Sequence, residues 1–97
     1  MQNFKLQKLE YANFALQAII QDKHVETFVF YNALNGITEF LKSNLTAREN
    51  LLVTQNINVF RGVSNILKQY YEGKSCIREI VEVNFKDFTE LIDQFIK

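Results

Sequence analysis

The stretch Thr46-Ala47-Arg48-Glu49-Asn50-Leu51-Leu52-Val53-Thr54-Gln55-Asn56-Ile57-Asn58-Val59-Phe60-Arg61-Gly62-Val63-Ser64-Asn65-Ile66-Leu67-Lys68-Gln69-Tyr70-Tyr71-Glu72 decides the fold. Its first four residues form a capping-box pattern: the Thr46 hydroxyl is placed to accept from the Glu49 amide while the Glu49 carboxylate reaches back to the Thr46 amide. Beyond the box, Leu52, Val53, Val59, Phe60, Val63, Ile66, Leu67 and Tyr70 share one arc of a helical wheel at roughly 100° per residue, and Asn50, Thr54, Asn58, Arg61, Asn65 and Lys68 share the other. Gly73 follows, suited to the left-handed conformation just past a helix end. One long amphipathic helix is therefore expected from Thr46 to Glu72. Asn56-Ile57-Asn58-Val59 and Val81-Glu82-Val83-Asn84-Phe85 alternate at period two, as strands do, but each sits inside a longer stretch whose helical period continues on both sides.

The flanking segments repeat the pattern. From about Asn3 to Gln21, Leu6, Leu9, Ala12, Leu16, Ile19 and Ile20 fall within half a wheel, while Phe14 lies among the polar residues opposite and Tyr11 lies beside them. From about His24 to Lys42, Val25, Val29, Phe30, Ala33, Ile37, Phe40 and Leu41 gather on one half, and Phe28 and Tyr31 fall on the other. The last segment, from about Ser75, repeats Ile77, Ile80/Val81, Phe85, Phe88, Leu91/Ile92 and Phe95/Ile96 at helical spacing. Asn84 followed by Asp87 resembles an N-cap, so a break there, with a final helix from Phe85, is the alternative to one continuous helix. Four amphipathic helices joined by connections of about two to five residues predict an all-α, up-down-up-down antiparallel bundle. The apolar arcs are wide, which suits a globular bundle better than a coiled-coil seam.

The 97 residues are enough for one core and too few for two, so residues 1–97 are expected to form a single helical domain. Eleven basic and eleven acidic residues cancel, which argues against a general nucleic-acid binder, since such a protein must neutralise phosphates. The absence of proline and the three glycines argue against a turn-rich β fold. No leader pattern and no long apolar span are written in the chain, and its single cysteine suits a reducing compartment. A soluble, cytoplasmic protein without a membrane partner is expected.

The residues that could carry chemistry are sparse. His24 and Cys76 stand at the expected starts of the second and last helices, which alternating topology puts at one end, and a helix dipole there would lower a thiol pKa. One His and one Cys supply no usual zinc set, and no carboxylate forms the Glu-x-x-His pair of a di-iron bundle. Gly73-Lys74-Ser75 lacks the upstream glycine of a phosphate loop. No enzyme, metal or cofactor is expected.

Binding surfaces are better represented. Glu79, Glu82, Glu90 and Asp93 form an acidic stripe on the last helix, with Lys86 among them. The stripe is either a solvated face with (i, i+4) pairs such as Glu82 or Glu90 with Lys86, or a surface for a basic partner, since Glu90 and Asp93 oppose the helix dipole. Phe14, Phe28 and Tyr31 are either covered by neighbouring helices or form an exposed aromatic patch. Phe28, Tyr31 and Asn35 would share a face of the patch at i, i+3, i+7 spacing. These eight residues are the candidate partner-binding set.

The expected function is that of a non-catalytic protein that covers and blocks a protein partner, as immunity proteins, antitoxins and phage-encoded inhibitors do. The partner would be another protein, such as a toxin with a basic surface. The analogy is one of architecture, without a motif. A homo-oligomeric structural protein or secretion chaperone is the alternative, its aromatic surface used against copies of itself or an unfolded client. A helix-turn-helix regulator ranks lower, because the segment from Thr46 carries only Arg48, Arg61 and Lys68. Two amides complete the reading: Asn56 and Asn84 fall near the centres of apolar arcs and are expected to be buried, either paired across two helices or, for Asn84, capping locally.

Overall fold

The computed structural model describes residues 4–97, and among these it holds five helices and no strand. They are α1 (Phe4–Ile20), α2 (Thr27–Lys42), α3 (Ala47–Gln55), α4 (Ile57–Tyr71) and α5 (Arg78–Ile96). The all-α prediction holds, with five helices where about four were expected. The expected start at Asn3 lies outside the described residues.

The extra helix comes from a break inside the stretch from Thr46 to Glu72. Its N-terminus forms as read: Thr46 accepts from the Glu49 amide at 3.1 Å and the Glu49 carboxylate accepts from the Thr46 amide at 2.8 Å. After the nine residues of α3, Asn56 leaves helical geometry, at φ −121° and ψ 26°, and closes the helix as its C-cap. Its side-chain amide donates to the Leu52 carbonyl at 2.9 Å, the local bonding by which asparagine competes with a helix. At Asn84 the continuous reading holds and the alternative break does not occur: α5 runs through it, and the Asn84 amide donates to the Ile80 carbonyl one turn back at 2.8 Å. Both asparagines are half-buried and each is satisfied by its own helix, so the paired-amide expectation fails.

Helix ends follow their residues. Gly73, at φ 82°, is the left-handed residue of a Schellman ending in which its own amide bonds the Tyr70 carbonyl and that of Lys74 bonds Gln69. Asp22, at φ 56°, plays the same part after α1, with the Asp22 and Lys23 amides on the Ile19 and Ala18 carbonyls. Arg78 then holds this turn from α5, pairing with Asp22 at 3.2 Å and donating to the Ile20 carbonyl.

The four long helices form a ring in the order α1, α2, α4, α5. Every neighbouring pair is antiparallel. Lys8 meets Glu39 across α1 and α2, Phe40 meets Phe60 and Tyr31 meets Tyr71 across α2 and α4, and Asn13 meets Thr89 across α1 and α5. One core fills the ring, with Leu9 and Leu16 from α1, Phe40 from α2, Phe60 and Leu67 from α4, and Phe88 and Leu91 from α5. Phe40 lies stacked against Phe60 at 6.2 Å, and Phe88 meets Phe60 edge-on at 6.1 Å. Of the residues expected inside, Val63, Ile66, Phe88 and Leu91 are buried, and Leu52 and Val59 are half-buried against the core. Ile80 is the exception at 49% exposure, because it stands in the first turn of α5 and borders a groove beside Gly62 without filling it.

Two glycines set helix spacing. A Cβ on Gly36 would run into the main-chain carbonyl oxygen of Lys8, so α2 approaches α1 closer than any side chain allows. A Cβ on Gly62 would instead meet the side-chain oxygen of Asn84, which occupies that space from α5.

Candidate protein-docking face

Helix α1 is apolar on two sides. Leu6, Leu9 and Leu16 point into the ring, while Phe4, Tyr11 and Phe14, spaced i, i+7, i+10, form a second stripe between 59% and 68% exposed. On α2 beside it, Phe28 is 62% and Tyr31 50% exposed. The off-pattern aromatics are therefore not covered by neighbouring helices. Tyr31 leans toward α4, where its ring lies 5.9 Å from that of Tyr71.

Between the two helices lies an open groove of about 530 Å³ lined by Tyr11, Phe14, Val29, Asn32, Asn35 and Gly36. Lys8 and Glu39 bridge it at one end, 2.6 Å apart. Gly36, without a side chain, contributes to its floor. The structure thus brings Phe14 and Asn35 into one groove and places Phe28 and Tyr31 on the same outer surface of α2. Sequence reasoning missed Phe4 and Tyr71 and undervalued Tyr11; the i, i+7, i+10 spacing of Phe4, Tyr11 and Phe14 was the available signal.

The acidic candidates lie elsewhere. Glu79, Glu82, Glu90 and Asp93 are all exposed on α5. The expected Lys86 pairs do not form; Glu82 is paired with Arg78 at 3.6 Å instead. A short aliphatic ridge, Ile77, Ile80 and Val83, is exposed along the first turns of the same helix.

His24 and Cys76 do not make a site. His24 is exposed in the connection before α2, its Nε2 3.3 Å from a Glu26 carboxylate oxygen. Cys76 precedes α5 by two residues, half-buried, with its thiol 3.4 Å from the Gln69 side-chain oxygen. Burial pushes that thiol up from its ordinary value, the reverse of the lowering expected at a helix start.

One charged side chain is largely covered from solvent. Glu49 is the buried residue of α3, and its carboxylate accepts from Lys5 Nζ at 2.7 Å as well as from the Thr46 amide. Those bonds, the one from Lys5 first, hold its carboxyl below the ordinary glutamate value against the opposing effect of burial. The pair fastens α3 to α1, and Arg48 adds a bond from α3 to the Gln94 carbonyl of α5.

Among the described residues, no three His, Cys, Asp or Glu side chains converge, and no helix is long and apolar enough to cross a membrane. Comparison with known proteins finds no matching family model, no matching curated protein and no matching solved structure.

Proposed function

We propose that the protein is a non-catalytic protein-binding module that docks through the outer face of α1 and α2 and acts, as small inhibitors and antitoxins do, by covering a protein partner. The observation that carries this reading is the set of five large aromatic side chains, Phe4, Tyr11, Phe14, Phe28 and Tyr31, left half or more exposed on two adjacent helices. Exposed apolar patches of this kind mark association surfaces, and aromatic anchors supply most of the energy in such interfaces. Tyrosine adds a polar tip that stays satisfied whether the face is wet or covered. The acidic side chains of α5 steer a basic partner toward the molecule without forming the anchor, since surface charge acts mainly on encounter. Cytoplasmic residence follows the same reading, with the lone Cys76 kept as a thiol.

The test compares three immobilised forms of the chain against extract from the native host: wild type, Tyr11→Ser/Phe14→Ser/Phe28→Ser, and Glu79→Lys/Glu90→Lys/Asp93→Lys. A specific partner should be retained by wild type, lost by the aromatic variant, and bound more slowly at low salt by the charge-reversed one. Equal retention by the aromatic variant, with its helical signal intact, would overturn the proposal.

A further inference from the structure

We propose that in the free protein this face is occupied by a second copy of the same chain, giving a twofold dimer in which two α1–α2 hairpins pack face to face. The inference rests on the reading that the face docks a polypeptide, and it names the occupant.

Area is the first argument. The five aromatic side chains are between 50% and 68% exposed. At roughly 200 Å² for a fully exposed aromatic residue they offer on the order of 600 Å² before Val29 and the groove amides are counted. A standard interface takes about 800 Å² from each partner, and a monomer seldom leaves a patch beyond about 300 to 600 Å² open. The aromatics alone supply about three quarters of the area that a standard interface takes from each partner, and Val29 and the groove amides add to it.

Charge and hydrogen bonding are the second. The groove holds one cation and one anion, Lys8 and Glu39, and these are paired at 2.6 Å, so it offers no charge with which to select an oppositely charged partner. Glu10 lies outside the groove, lining a separate shallow concavity with Gln7, Tyr11 and Phe14. The remaining polar groups are the amides of Asn32 and Asn35 and the hydroxyl of Tyr11, each able to donate and accept. Such groups complement copies of themselves, as an isologous interface requires, where charged groups would repel.

The experiment is sedimentation equilibrium of the full chain from low micromolar to several hundred micromolar, alongside Phe14→Ser, Tyr11→Ser and Glu90→Lys. The mass should rise from one chain to two. Each aromatic substitution should weaken association at least about tenfold, because twofold symmetry removes the side chain from both copies. Glu90→Lys should leave it unchanged. As a second reading, Asn35→Cys in a Cys76→Ser background should give a disulfide-linked dimer under mild oxidation. A wild-type chain that stays monomeric at the highest concentration overturns the dimer. So does a dimer that Phe14→Ser and Tyr11→Ser leave as tight as before. A monomer that still captures a partner lost by the aromatic variant overturns only the dimer; a monomer that captures none overturns the docking reading as well.

Discussion

Replacing Gly36 by alanine should be far more damaging than the same change at Gly62, although both are helical glycines facing a neighbouring helix. In each case the helix gains about 1 kcal/mol, the difference in propensity between the two residues. At Gly36 the new methyl meets the Lys8 carbonyl oxygen, with the carbonyl carbon only 3.2 Å away. That group is main chain inside α1 and has no rotamer to turn away, so α1 and α2 must part by on the order of 1 Å to restore ordinary contact. Overpacking of this kind costs about 3 kcal/mol at the upper end of its usual range, which leaves a net loss near 2 kcal/mol. For a domain of this size that corresponds to a fall in Tm of about 8 to 16 °C. At Gly62 the methyl meets only the Asn84 side chain. Asn84 can rotate away, giving up its 2.8 Å bond to the Ile80 carbonyl, a loss of about 1 kcal/mol that offsets the propensity gain. Urea denaturation followed by far-UV circular dichroism measures both. Gly36→Ala within about 0.5 kcal/mol of wild type would refute the close approach of α1 to α2. A Gly62→Ala loss as large as that of Gly36→Ala would refute the distinction between a fixed and a yielding neighbour.

Three further outcomes follow from the packing and the polar contacts. Phe88→Ala, at a fully buried position against Phe60, should cost about 3 to 5 kcal/mol in the same denaturation assay, and a loss below about 1 kcal/mol would contradict its place in the core. The Glu49 carboxyl is held below its unfolded value, so its contribution to stability is complete above that unfolded value and is lost as pH falls through the lower folded one. Stability measured from neutral to acid pH should therefore fall less steeply for Glu49→Gln than for wild type, from a lower starting value; parallel curves would count against it. Because Asn56 and Asn84 each bond their own helix, the Asn56→Leu and Asn84→Leu effects should add within about 0.5 kcal/mol, and larger coupling would revive a contact between them.

Much of the bundle was legible because its signals are local. The Thr46–Glu49 box and the Gly73 ending depend on residues within a turn of each other, and the buried stripes of α4 and α5 follow from helical period alone. The break at Asn56 was not, since a single residue outside helical geometry leaves Leu52 and Val59 both turned to the core, so the wheel reads on across it. Ile80 was misplaced for a different reason: the wheel gives its direction but not whether a neighbour reaches that turn of α5. The aromatic face was half legible. Phe14, Phe28 and Tyr31 stood out as apolar residues on polar arcs, but whether an off-pattern ring is covered depends on the positions of whole helices, which no single segment encodes. Nothing in the sequence marked Gly36 as the residue that lets α1 and α2 close up and that lines the groove with Tyr11 and Phe14.

Helix α3 differs in kind from the four around the ring. It carries nine residues, buries one of them, and is fastened at its start by a capping box, an ion pair and a guanidinium bond, with Leu52 and Val53 only half-buried against the core. Its main-chain amides can therefore reach solvent through a local opening that leaves the phenylalanine core untouched. In hydrogen exchange, residues 50–55 should behave as a unit with its own, smaller opening free energy, while the interior of α4 exchanges only when the whole molecule unfolds. The same segment then becomes the place where the chain tolerates cutting or insertion, because the order of the ring does not depend on it.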